Sequence, residues 1–243
     1  MNGKSRTIGR PGGSGHLPGE AAEDALKAIF KLQAVEKPVS TSAVASALGV
    51  SEPTATTMIK RLARLGLLHH EPYHGVILTP AGEQIALEVI RHHRLLETYL
   101  VRSLGVGWED VHAEADRLEH AISEELEARI DALLGFPATD PHGDPIPTRE
   151  GRLGSTPATT IADVAVGGRA IVRAVPDGDA ALLRYLAELG LVPGCAVRVE
   201  EKAPFNGPLL LSIGERREMI GFELAASIRV ETGIGPGEGG YSR

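Results

Sequence analysis

The feature that most constrains this fold is a change of character between Gly135 and Pro157. The stretch FPATDPHGDPIPTREGRLGSTP is rich in Pro, Gly and polar residues, the composition of a linker. Before it, apolar residues recur at helical spacing. After it, they come in short β-type runs. A chain of 243 residues patterned in this way suits two or three small domains better than one large core.

The first half opens with a helical rhythm over residues 19–35, with Leu26, Ile29, Phe30 and Ala34 on its apolar side. Thr41 reads as the N-cap of a short helix, SAVASALG, that stops near Gly49. Ser51 reads as the next N-cap, with Pro53 tolerated in the first turn of a helix running from about Glu52 to Leu65. Leu67 to Leu78 holds β-type residues interrupted by EPYHG, a turn signal. Two short helices, a tight turn and a two-stranded wing are the order of a winged helix-turn-helix. Its second helix presents N-terminal residues to base edges in the major groove.

The expected DNA-facing residues are therefore Thr41 and Ser42 on the first helix, with Ser51, Pro53, Thr54, Thr56 and Thr57 at the start of the second. Hydroxyls can meet phosphates or bases, and threonine methyls can touch a thymine methyl. Lys60, Arg61 and Arg64 offer charge to phosphates. The formal net charge of −7 argues against broad, charge-driven nucleic-acid binding but leaves room for a local basic face.

Thr79 and Pro80 start a long helix reaching about Leu104, and a second is expected from roughly Trp108 to Leu134. Two long amphipathic helices of this kind could pair with a second copy and form a dimer. In the second, His112, Asp116, Glu119 and His120 stand at offsets of 0, 4, 7 and 8. At helical pitch these span an arc of roughly 100° beside the apolar stripe. Two imidazoles and two carboxylates at that boundary are costly if unpaired, and a cation would satisfy them together. The preceding helix adds His93 and Glu97, and Asp24 lies on the first helix.

After the linker come RAIVRAV (169–175), CAVRVEE (195–201), PLLLSIG (208–214) and SIRVE (227–231), with one helical patch, ALLRYLAELG (181–190). These suggest a small β-barrel with one helical crossover. Only one cysteine is present, Cys195, which excludes a disulfide framework within the chain and fits a reducing, cytoplasmic setting. No stretch approaches the roughly 20 apolar residues a membrane helix needs. The N-terminal MNGKSRTIGRPGGSG lacks the apolar run of a signal peptide.

Taken jointly, RHHRLLETYL, VHAEADRLEHAIS, PHGDPIP, LAELGLVPGCAVRV and IGFELAASIRV make the chain resemble the diphtheria toxin repressor (DtxR) family of iron- and manganese-dependent regulators, from about Ala21 to Glu231. The resemblance implies a mainly α protein with a small β part. Its expected divisions are a disordered tail (1–18), a winged helix-turn-helix domain (19–80), a helical metal-binding and dimerisation domain (81–136), the linker (137–157), an SH3-like β-barrel domain (158–232) and a flexible tail (233–243). It also implies a homodimer on double-stranded, palindromic operator DNA, with no membrane and no small organic substrate.

Carried over by position, the resemblance implies two cation sites per protomer. His93, Glu97 and His112 form an ancillary site, which Asp177 or Asp179 could complete. Asp24, Asp116, Glu119 and His120 form the effector site. The family's iron sensors carry methionine and cysteine where this chain has Asp24 and Asp116. Carboxylate oxygen with imidazole suits Mn²⁺, so the resemblance points to the manganese branch. That branch often has another glutamate where this chain has Lys27, which cannot ligate while protonated. The expectation is a manganese-activated repressor of metal-uptake genes, with an Fe²⁺-dependent repressor of the same family as the alternative. A metallohydrolase is the rival from a different class, although no HExxH or nucleophile motif is evident.

Overall fold

The computed structural model describes residues 19–71 and 74–233. The expected tails at 1–18 and 234–243, and Pro72 and Tyr73 in the wing turn, lie outside the described residues. The chain forms two compact units that divide after Ala86.

In the first unit, α1 (Glu20–Gln33), α2 (Thr41–Ala47) and α3 (Glu52–Arg64) precede a hairpin of β1 (Leu68–Glu71) and β2 (Gly75–Leu78). The cap of α2 is Ser40 rather than Thr41: its hydroxyl accepts from the Ala43 N–H at 3.1 Å, and Thr41 becomes the first helical residue. Either serine or threonine satisfies a free helix-end N–H, so adjacent hydroxyls leave the start ambiguous by one residue. Ser51 caps α3 as expected, accepting from the Thr54 N–H. Ala55, Ile59 and Leu62 on α3 are buried with Leu26 and Ile29 of α1, the 3–4 spacing of one helical face. The hairpin is antiparallel, pairing Leu68 with Leu78 and His70 with Val76. Val39, just before α2, exchanges both backbone hydrogen bonds with Val76. Gly75 makes this approach feasible: its φ is +105°, and a Cβ there would lie 2.4 Å from the Val39 carbonyl oxygen.

The long helix is α4 (Pro80–Leu104), capped by Thr79, whose hydroxyl accepts from the Gly82 N–H at 3.2 Å. The single helix expected over 108–134 is two: α5 (Val111–Leu118) and α6 (Glu124–Leu133). Leu118, Ile122 and Leu126 keep a four-residue rhythm across the break, which hides it. The interruption signal is Ser123, whose hydroxyl accepts from the Leu126 N–H, followed by Glu124, Glu125 and Glu127 in the first turn. Acids there favour a helix start through the macrodipole. Leu95 and Leu96 of α4 pack with Ala115, Ile130 and Ile146.

The 137–157 stretch is not an open spacer. Ile146 N–H donates to the Ala138 carbonyl, Thr139 bridges Pro145, and Asp140, His142 and Ile146 are buried. The Val175 N–H donates to the His142 carbonyl, and Gly143 (φ +95°) lies so close to β3 that a Cβ would meet the Arg173 carbonyl oxygen.

After a 3-10 turn at Ile161–Asp163 come β3 (Arg169–Ala174), α7 (Ala180–Leu189), β4 (Ala196–Lys202), β5 (Leu209–Ile213), β6 (Arg216–Ile220), α8 (Phe222–Ser227) and β7 (Arg229–Thr232). The strands form one antiparallel sheet in the order β6-β5-β4-β3-β7. Strand β6, RREMI, is not marked in the sequence, because its mostly exposed, charged residues carry no alternating apolar signal. Register shifts at Val172/Ala174 and Val199/Glu201 mark irregularities of the kind that bend a sheet. Val172, Leu183, Leu186, Leu191, Val199 and Leu211 fill its core.

Candidate metal centre and nucleic-acid interface

In the first unit, α3 turns Ser51, Pro53, Thr54, Thr57, Lys60, Arg61 and Arg64 to the surface, and Thr56 is half-buried. On α2, Ser42 is exposed and hydrogen-bonds to Ser40, while Thr41 is half-buried. Three of these hydroxyls are engaged locally: Thr57 donates to the Pro53 carbonyl at 2.9 Å, and Ser51 and Thr54 pair at 2.8 Å. Arg64 Nε donates to the Lys60 carbonyl at 3.2 Å.

In the second unit, His93 on α4 is the hub of a polar cluster. Its Nδ1 lies 2.5 Å from Glu119 Oε2 and 3.2 Å from Asp116 Oδ1. Its Nε2 lies 3.0 Å from Glu97 Oε1 and 3.0 Å from His112 Nδ1. His112 Nδ1 also lies 3.0 Å from Glu97 Oε1, and His112 Nε2 lies 3.6 Å from Asp116 Oδ2. Helical pitch stacks His93 over Glu97 on α4 and His112 over Asp116 on α5. Glu119 is the C-cap of α5, and His120 follows in the turn with Nε2 3.4 Å from Glu119 Oε1. Glu119 keeps helical φ and ψ and its N–H donates to the Ala115 carbonyl, so it stays one turn beyond Ala115 on the same helix.

Burial alone lowers the basicity of His93, yet the carboxylates Asp116, Glu119 and Glu97 outweigh it and push the group up to about 10. Burial pushes Glu97 upward, but His112 and His93 hold it well below the usual carboxylate range. Two overlapping triads result, His93–Glu97–His112 and His93–Asp116–Glu119, each with ligand-type atoms mutually within 4.8 Å. Imidazole nitrogen with carboxylate oxygen is a hard-to-borderline donor set suited to a divalent first-row cation. Asp24 lies on α1 of the first unit.

Asp177 and Asp179 enter none of the ligand clusters among the described residues. Asp179 caps α7, accepting from the Ala181 and Leu182 N–H groups. Sequence reasoning missed Asp140 and His142. Both are buried beside Glu97, in the segment read as a linker. The available signal was the presence of two ligand-type residues, at i and i+2, inside PHGDPIP and just before it.

A winged helix-turn-helix and a buried imidazole–carboxylate centre in one chain define a metal-responsive DNA-binding regulator. Comparison with known proteins agrees. The N-terminal DNA-binding domain of iron-dependent repressors matches residues 19–76. Their metal-binding and dimerisation domain matches residues 79–148, and the FeoA domain matches 159–232. The iron-dependent repressor IdeR of Mycobacterium tuberculosis is 33% identical over 225 residues, spanning 87% of this chain and 97% of the relative. The transcriptional regulator MntR of Salmonella typhimurium is 43% identical over 100 residues, 41% of this chain and 60% of the relative. A solved manganese-dependent transcriptional repressor in complex with manganese superposes with a TM-score of 0.79 at 40% identity, covering 87% of this chain and 99% of the other.

The chain therefore belongs to the DtxR/IdeR family of metal-dependent transcriptional repressors. It is a DNA-binding protein and not an enzyme, which removes the metallohydrolase reading. No described helix is long and apolar enough to cross a membrane.

Proposed function

We propose that this protein is a manganese-activated repressor of metal-uptake genes that acts in the cytoplasm as a homodimer on palindromic operator DNA. The observation that carries the metal assignment is the donor set. His93, Asp116 and Glu119 bring only nitrogen and oxygen together, with no sulfur. Asp24 and Asp116 stand where softer ligands occur in the family's iron sensors, and oxygen ligands favour Mn²⁺ over metals later in the series.

Asp24, Asp116, Glu119 and His120 are assigned as effector ligands, and His93, Glu97 and His112 as ancillary ligands, for two ions per protomer. When bound, a cation supplies the positive charge that lets the clustered carboxylates be ionised together. The effector set takes Asp24 from the DNA-binding unit and the other three residues from the second unit. Shared ligation limits the orientations α3 can sample, so less ordering remains to be done on DNA. Ser51, Pro53, Thr54, Thr56 and Thr57, with Thr41 and Ser42, are assigned to the groove. Lys60, Arg61 and Arg64 are assigned to phosphates.

The homodimer reading is supported by an apolar groove lined by Leu96, Tyr99, Leu100, Leu118, Leu126 and Leu133. Leu118, Leu126 and Leu133 are exposed in one protomer, on the helices that match the family's dimerisation domain.

The test is fluorescence anisotropy of the chelator-stripped protein on duplexes from its own upstream region, without metal, with Mn²⁺, and with Fe²⁺ under anaerobic conditions. Binding that needs metal, reached at lower Mn²⁺ than Fe²⁺ and lost in Glu119→Ala and Asp24→Ala, is the expected result. Better activation by Fe²⁺ would favour the iron-dependent reading, which the full-length match to IdeR supports. Full metal response in both variants would overturn the effector assignment.

A further inference from the structure

Two consecutive residues of α4 hold Glu119 from opposite ends. His93 Nδ1 meets its carboxylate at 2.5 Å, and His92 Nδ1 lies 3.1 Å from its backbone carbonyl oxygen. Successive side chains on a helix point about 100° apart, so one turn of α4 reaches both the side chain and the backbone of a single residue. His93 is assigned above as an ancillary ligand. His92 belongs to neither ligand set, yet it is 7% exposed. A polar ring at that depth is costly without partners.

The backbone that His92 meets is a helix end. Glu119 is the C-cap of α5, and its carbonyl falls in the last turn, where the helix returns no N–H. Four residues on, where a continued helix would supply that donor, Ser123 instead caps α6 with extended backbone. Glu119 is 1% exposed, which makes an unmet carbonyl there expensive. A carbonyl can only accept, so His92 Nδ1 carries the hydrogen and donates.

The other edge of the ring faces α6. His92 Nε2 lies 3.4 Å from Glu127 Oε2, within ion-pair reach though outside hydrogen-bond geometry. Glu127 is itself anchored, with Oε1 2.7 Å from Arg91 Nε, and Arg91 reaches Asp131 one turn further along α6. The imidazole therefore stands between a fixed carboxylate and the Glu119 carbonyl. Proteins orient the groups around a metal with such outer partners.

We propose that His92 is a positioning residue of the effector site, clamping the Glu119 backbone so that the carboxylate is presented to the cation at a fixed place. His92 itself does not touch the cation. The inference rests on Glu119 being an effector ligand and adds a residue outside both assigned sets. Without the clamp, the end of α5 loses a hydrogen bond and Glu119 samples more orientations, so cation binding has to order it. The loss falls on metal affinity. Once the site is saturated, the clamp has nothing further to contribute to operator binding.

The two ring nitrogens can be replaced one at a time. In His92→Asn the side-chain NH₂ takes the place of Nδ1 and can still donate to the Glu119 carbonyl, while the reach to Glu127 is lost. In His92→Gln the amide extends toward the place of Nε2, and the Nδ1 donor is lost. The full chain is stripped with chelator and titrated with Mn²⁺. Uptake is followed by electron paramagnetic resonance of the free ion, and operator binding by anisotropy. His92→Gln is expected to need on the order of 10-fold more Mn²⁺, the scale on which outer partners act, with wild-type operator affinity at saturating Mn²⁺. His92→Asn is expected to stay close to wild type in both.

Wild-type Mn²⁺ uptake in His92→Gln would overturn the proposal. So would equal losses in the two variants, or weakened operator affinity at saturating Mn²⁺, since either marks a general loss of packing. A measurement on the wild type needs no variant: nitrogen NMR of the histidine-labelled, metal-free protein should find the hydrogen on His92 Nδ1, and a bare Nδ1 would also overturn it. Glu119→Ala keeps the two readings apart. Unchanged Mn²⁺ uptake there would remove the effector assignment and this inference with it, whereas lost uptake there beside wild-type uptake in His92→Gln would remove this inference alone.

Discussion

Arg91 is 7% exposed, and every arm of its guanidinium is used. Nε donates to Glu127 at 2.7 Å, NH2 to Asp131 at 2.6 Å and NH1 to the Pro147 carbonyl at 2.7 Å. One side chain thus ties α4 to α6 and to the PHGDPIP segment. Removing it leaves buried Asp131 without its cation and Glu127 with only His92 and Arg149 beside it, so Arg91→Met should cost about 3–5 kcal/mol in urea unfolding. A loss near zero would mean the carboxylates find other partners. Glu127 supplies a pH signature. Burial pushes its carboxyl up, but His92 and Arg91 outweigh that and hold it below its ordinary value. A carboxyl depressed in the folded state stabilises above its unfolded value and loses that contribution as pH falls through the folded one. Stability should therefore decline below about pH 4.5, the ordinary glutamate range. In Glu127→Gln the melting temperature should fall less steeply across that acid range. Parallel pH profiles for the two proteins would refute the assignment. None of this network was legible in the sequence, because Arg91 stands 36 and 40 positions from Glu127 and Asp131 and no local spacing pairs them.

At the level of elements, the winged helix-turn-helix was the most legible part. The Ser51 cap, the glycine stops and the burial of Ala55, Ile59 and Leu62 are local consequences of residue order, whereas the α2 cap falls one residue earlier than expected. The remaining face of α3 carries Lys60, Arg61 and Arg64 in the open. A single phosphate contact contributes about one unit to the slope of log affinity against log salt. Arg61→Ala should thus weaken binding to every duplex and flatten that slope by about 1, read by anisotropy across a salt series. A change confined to one operator sequence would instead make Arg61 a base reader. The division between α5 and α6 was less legible. Periodicity reports which face is apolar, and Leu118, Ile122 and Leu126 maintain that face whether or not the helix is continuous. The signal of the break is the acidic run behind Ser123, and Glu119 still ends α5 in helical conformation with its N–H on the Ala115 carbonyl.

At the scale of the molecule, α4, α5 and α6 line an apolar groove whose Leu118, Leu126 and Leu133 are exposed. Leu126 lines it and is exposed. Leu126→Glu places a charge in what we propose is the dimer seam, and should shift sedimentation from dimer toward monomer while far-ultraviolet circular dichroism stays unchanged. Operator affinity should fall with it, since paired half-sites require two copies of α3. An unchanged dimer would move the interface elsewhere. Metal addition should leave this equilibrium less affected than it leaves DNA binding, because the assigned ligands belong to one protomer.

The sequence by itself determined the order of elements, the reading helix and its wing, the class of ligand, and the small β domain. Each is written in spacing, caps and composition over a few consecutive residues. Tertiary structure alone decided which nitrogen of His93 faces which acid, and that Glu97 presents its two oxygens to opposite sides. It also decided that Asp140 and His142 fold back from an apparent linker onto α4. Those outcomes depend on contacts between residues 15 to 50 positions apart, as between Glu97 and His112 or Arg94 and Asp144. Hydrophobic period and capping chemistry act over one or two helical turns and carry no information about such pairings. Burial and hydrogen-bond satisfaction select them only once the chain has closed on itself.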